Sequence, residues 1–138
     1  MSTISCSYNN SAEKRNQEDG MAKIAVVVLA DVETHADMGR VANALETVKE
    51  AKEEGDDVRL IFDGAGTRWI PELTKQESKL APLYQAVSDK VSGACAFCAA
   101  AFGVRDAVKQ AGVPLIDEYE GHPSLRTLVA DGSAVLTF

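Results

Sequence analysis

The chain has 138 residues, 46% of them hydrophobic and 25% charged, a balance that suits one globular domain and excludes disorder of the whole. A domain of that length hides roughly 65–70% of its unfolded surface, enough for a core without disulfide or metal staples. The formal net charge of −7 removes the electrostatic footprint that binding to nucleic acid or an anionic membrane surface would need.

Residues 1–20 are polar and aperiodic, without the apolar stretch of a secretory signal. They are expected to form a disordered leader, with a single domain over 21–138. Cys6 in the leader reads as an incidental exposed thiol, and Met21 is a candidate alternative start. Three cysteines, two of them in one C-x-x-C, fit a reducing compartment, so a cytoplasmic location is expected. The longest apolar run, 24–30, is far too short to cross a bilayer.

Ile24-Ala25-Val26-Val27-Val28-Leu29-Ala30 is short, continuous and β-branched, as a strand covered on both faces should be. Thr34 followed by Asp37 resembles a capping box. Met38, Val41, Leu45 and Val48 then recur at helical spacing, the glutamates from 46 to 54 fill the solvated face, and Gly55 ends the helix. Residues 58–62 predict a second strand, and Asp63-Gly64-Ala65-Gly66 a tight turn. A long connection, 67–79, carries the single tryptophan, Trp69. Pro82 opens a helix to about residue 89. A third strand is expected over 91–96, helices over 98–102 and 105–111, and a fourth strand over 113–116. A last helix over 123–130 and a closing strand over 134–138 complete the pattern. Five strands alternating with helices predict an α/β sandwich with a mainly parallel sheet and helices on both faces. Periodicity does not give the strand order.

In open parallel sheets, sites gather beyond the carboxyl ends of the strands. That rule selects Cys95 and Cys98 at the end of the third strand as the candidate catalytic pair. A thiol where a helix begins faces free N–H groups, so Cys95 is expected to be solvent-reachable and to ionise below the ordinary thiol range. The contrary reading is a pair of small buried hydrophobes. No proline or glycine separates the cysteines, and several strands come before them, which argues against thioredoxin but leaves disulfide exchange open. Structural zinc needs about four ligands. The only further soft donors, His35 and His122, are far apart and lack finger spacing, so no metal and no cofactor is expected. His35, Asp63, Trp69 and His122 fall in predicted loops at the same edge and are candidate pocket-lining residues. The bland alternatives are solvated histidines, a turn at Asp63 and a tryptophan covering the core edge.

With these elements in place, the chain resembles the DsrE/DsrF-like family, its YchN-like members included. The carriers are the opening strand 23–30 with its polar loop, the run Gly93-Ala94-Cys95-Ala96-Phe97-Cys98-Ala99-Ala100-Ala101-Phe102-Gly103-Val104, and the C-terminal pattern from Ser124-Leu125-Arg126 through Val135-Leu136-Thr137-Phe138. The resemblance covers 23–138, and the cysteine-to-glycine spacing is its most specific element. It implies a three-layer α/β/α fold with a parallel five-stranded sheet, and homo-oligomers, often trimers or hexamers. In the sulfur-relay members a cysteine at the Cys95 position carries a persulfide between partner proteins, which makes Cys98 an auxiliary or resolving thiol. The expected function is therefore a persulfide carrier or sulfurtransferase-like protein, with sulfur donor and acceptor proteins as partners. The rivals are a non-catalytic oligomeric small-ligand-binding or interaction module, and a Cys95–Cys98 redox switch. The chain departs from the relay subunits in its long 63–79 connection and its second cysteine.

Overall fold

A computed structural model describes residues 20–138; the expected leader and Cys6 lie outside them, save for Gly20. Five strands form one all-parallel sheet: β1 Lys23–Val28, β2 Asp57–Phe62, β3 Val91–Cys95, β4 Leu115–Ile116 and β5 Ala134–Thr137, in the order β4-β3-β2-β1-β5. The helices are α1 His35–Glu53, α2 Trp69–Leu73, α3 Ala81–Val87, α4 Ala96–Ala101, α5 Arg105–Gln110 and α6 Leu125–Ala130. Two 3₁₀ turns, Gly64–Arg68 and Ser88–Lys90, complete the connections.

Side-chain alternation along the strands divides the core between two faces. Val26, Val28, Leu60, Phe62 and Ala94 point into a large cluster closed by Val41, Leu45 and Val48 of α1 and by residues of α2 to α5. Ala25, Val27 and Ile61 point the other way, where Leu128 of α6 covers them. The three layers are therefore unequal: five helices on one side, and one six-residue helix on the other.

The α1 boundaries follow their local chemistry. Thr34 accepts from the Asp37 N–H at 3.0 Å while the Asp37 carboxylate accepts from the Thr34 N–H at 3.2 Å, the reciprocal capping box. At the other end Gly55, at φ +80°, permits paired bonds back to Lys52 and Ala51, a Schellman motif.

Several expected boundaries move. β1 stops at Val28, because the N–H groups of Leu29 and Ala30 both turn to the Phe138 carbonyl. β3 stops at Cys95, one residue early, since Cys95 is already the N-cap of α4. β4 shrinks to two residues. The last helix begins at Leu125 and not at Pro123, because the Ser124 hydroxyl caps it by accepting from the Thr127 N–H. The long connection is not structureless: it holds the first 3₁₀ turn and α2. Gly66 lies in that turn because a Cβ there would overlap the Val28 carbonyl. No described helix is long and apolar enough to cross a membrane.

Candidate functional site

The carboxyl ends of β2 and β3 and the turn between β4 and α6 meet at one corner of the sheet. Cys95 ends β3 and caps α4, its Sγ accepting from the Cys98 N–H at 3.3 Å. Cys98, three residues on, is half-buried, and its Sγ lies 3.6 Å from Asp63 Oδ1 at the end of β2. Asp63 is held in turn, because the same oxygen accepts from the Gly64 N–H at 2.8 Å as the cap of the 3₁₀ turn.

His122 arrives from the opposite side on a two-residue hairpin. Tyr119 and His122 exchange both backbone hydrogen bonds, at 2.8 and 2.9 Å, around Glu120 at φ +49° and Gly121 at φ +85°. Two successive positive φ values define the tight mirror-image turn that glycine favours at its second position. The Gly121 carbonyl accepts from the Phe97 N–H at 2.9 Å, tying this hairpin to the start of α4. The Phe97 ring lies against the imidazole, centroids 4.9 Å apart. The result places His122 Nδ1 3.2 Å from Cys95 Sγ and 4.0 Å from Cys98 Sγ.

Four potential donor atoms, one each from Asp63, Cys95, Cys98 and His122, lie within 4.8 Å of one another. The expectation of too few ligands for a metal rested on sequence distance, and the fold removes that premise by closing the interval between Cys95 and His122. The expectation for Cys95 is corrected in both its parts. Its side chain is fully buried, and burial pushes its thiol up to about 12, above the ordinary range, against the lowering effect of the Cys98 N–H bond. Desolvation is the largest cause, and the side-chain contact with Cys98 and the nearby Asp63 carboxylate push in the same direction. Of the two described cysteines, Cys98 is the half-exposed one.

The four candidate pocket residues separate into two places. Asp63 and His122 join the cysteines; His35 and Trp69 line a cavity of about 580 Å³ with Val32, Thr34, Met38 and Glu72, among others. Trp69 is buried, and its indole N–H donates to the Asp31 carbonyl at 2.8 Å, so it covers the core edge. Arg68 is committed to Asp31 and Glu33, each at 2.8 Å, and these bonds, the one to Glu33 first, raise its pKa. Residues that sequence reasoning missed are Phe97 and the Glu120-Gly121 turn. The dipeptide itself, between two segments that can pair, was the available signal.

A family model for the DsrE/DsrF-like family matches residues 22–138. The chain belongs to the DsrE/DsrF-like family. That family is associated with sulfur relay. The uncharacterized protein MJ0733 of Methanocaldococcus jannaschii is 25% identical over 118 residues, which is 85% of this chain and 96% of that protein. Among solved structures, a conserved protein of unknown function from Bacteroides thetaiotaomicron, BT1422, superposes with a TM-score of 0.59 at 17% identity, covering 83% of this chain and 94% of that one. At that identity the likeness speaks for the fold alone.

Proposed function

We propose that this protein carries sulfane sulfur as a persulfide on its cysteine pair, with Cys95 as the holding thiol and Cys98 as the thiol that meets partners. The supporting observation is the contact of Cys95 Sγ with His122 Nδ1 at 3.2 Å, beneath a half-buried Cys98. The Cys98 sulfur attacks the outer sulfur of a donor R–S–SH; the donor S–S bond breaks, R–SH leaves, and Cys98 becomes Cys98–S–SH. The Cys95 sulfur then attacks that outer sulfur, forming Cys95–S–SH and releasing the Cys98 thiol. His122 Nδ1 takes the Cys95 S–H proton as attack begins and returns it to the departing Cys98 sulfur. No net oxidation occurs, and an acceptor thiol reverses the sequence. Cys95→Ser in a Cys6→Ser background, loaded with a small persulfide donor, freed of excess donor and followed by intact mass, is expected to hold its adduct only briefly on Cys98, whereas the Cys6→Ser parent retains it. An adduct equally stable in both overturns Cys95 as the holder.

A second reading rests on the cavity at Trp69. Its volume of about 580 Å³ suits a small molecule, and its walls mix Val32, Met38 and Trp69 with Glu72 and Lys75. A binding module would change Trp69 fluorescence on ligand addition. A panel of small acids, nucleosides and thiols that leaves the emission unmoved removes this reading's support.

A further inference from the structure

We infer that Asp63, Cys95, Cys98 and His122 form a closed four-ligand site for a thiophilic divalent cation, zinc being the ion they fit. The inference rests on the geometry of the four groups and is independent of the carrier reading. Zinc takes cysteine sulfur at about 2.3 Å and imidazole nitrogen or carboxylate oxygen at about 2.0–2.2 Å in a tetrahedron, which sets ligand-to-ligand separations of roughly 3.3–3.8 Å. The separations here are 3.2 Å from Cys95 Sγ to His122 Nδ1, 3.6 Å from Cys98 Sγ to Asp63 Oδ1, and 4.0 Å from Cys98 Sγ to His122 Nδ1. Every donor pair falls within 4.8 Å, so shifts of about an ångström close the tetrahedron.

The chemistry of the set points the same way. Two sulfurs, one imidazole and one carboxylate select zinc over magnesium or calcium, which demand oxygen shells. Three separate chain segments converge on the site: the end of β2, the β3–α4 junction and the β4–α6 hairpin. A carboxylate beside two sulfurs repels a free thiolate, an arrangement that thiol chemistry alone does not call for and that a central cation turns into attraction. The surroundings also supply the outer contacts that fix ligands. The Gly64 N–H holds Asp63, the Cys98 N–H holds Cys95 Sγ, and Phe97 packs on the His122 ring.

The test uses the full-length chain as Cys6→Ser, so that both remaining cysteines belong to the site. Reduced and chelator-treated protein is titrated with zinc against a chromophoric chelator, and separately with cobalt(II), with no sulfur donor present. One zinc per chain is expected, together with thiolate-to-cobalt charge-transfer bands and the intense visible bands of a tetrahedral ion. Cys98→Ser and His122→Ala each should weaken zinc binding roughly tenfold or more. Cys98 is half-buried and His122 lies in a hairpin, so circular dichroism is expected to report both variants folded. The inference is overturned by a stoichiometry well below one, by an octahedral cobalt spectrum without charge transfer, or by folded variants that bind zinc as tightly as the parent. Failure of the carrier reading shows instead as a missing adduct in metal-free protein, a separate measurement.

Discussion

The two histidines of the described domain make a controlled comparison. Each follows a strand at the same edge of the sheet, His35 beginning α1 after β1, and His122 leading into α6 after β4. His35 is exposed at the rim of an open cavity beside a tryptophan already committed to the Asp31 carbonyl. His122 is half-buried, faces two sulfurs, and carries a phenylalanine ring on its flank. The same residue type thus has a proton partner in one corner and open water in the other. The difference comes from the chain around each: a helix start leaves its first residue free, whereas a two-residue hairpin aims the side chain that follows it.

The sharpest way to break this comparison is to remove each imidazole in turn. His122→Ala should slow sulfur loading of Cys95 by roughly 10²-fold, the usual worth of a positioned base, while His35→Ala leaves the rate unchanged. Timed alkylation of metal-free protein followed by peptide mass mapping, which locates the extra sulfur on Cys98 or Cys95, gives both rates. Equal rates for the two variants would reduce His122 to a packing residue.

How far the sequence showed this corner depends on how local each signal was. The strands were legible because runs such as Ala25-Val26-Val27-Val28 can bury both faces of a sheet, and the Thr34–Asp37 box and Gly55 marked the ends of α1 within a residue or two. The order of the strands was not, because β5 pairs with β1 across more than a hundred residues, and no period encodes such a pairing. Cys95 and Cys98 were legible from their spacing, and Asp63 and His122 as loop candidates; their convergence was not, since Cys95 and His122 are 27 residues apart. The thiol expectation failed for a related reason. The N–H groups at a helix start are visible in sequence, but the burial that outweighs them, which leaves Cys95 fully enclosed, is set by tertiary packing that no local pattern encodes.

That reversal has a pH signature that sharpens the contrast between the inner and outer thiols. At neutral pH Cys98 should alkylate first, with Cys95 modified only slowly, its rate rising as pH climbs toward 12. Mass mapping after timed iodoacetamide treatment separates the two. Stability follows the same proton. The fold holds it on Cys95 more tightly than the unfolded chain does, so the contribution is complete below the ordinary thiol range and is lost as pH rises from there through about 12. Cys95→Ser should flatten that alkaline loss in a denaturant series; an identical alkaline slope would mean that Cys95 is not the group responsible.

The smallest effect tests what aims His122. Gly121 sits at φ +85°, and a Cβ there would lie 3.3 Å from the Cβ of Phe97, so Gly121→Ala meets both backbone strain and a crowded neighbour. A cost of about 1–3 kcal/mol is expected, read as a lowered denaturation midpoint. Gly103, at φ +73° with open space around its Cβ position, is the matched control, since Gly103→Ala meets the strain without the contact. The two variants should therefore differ in stability by the contact with Phe97, and only Gly121→Ala should slow sulfur loading, because only that turn carries the imidazole. If Gly103→Ala slowed loading as much, the effect would belong to general loosening of the fold and not to the hairpin.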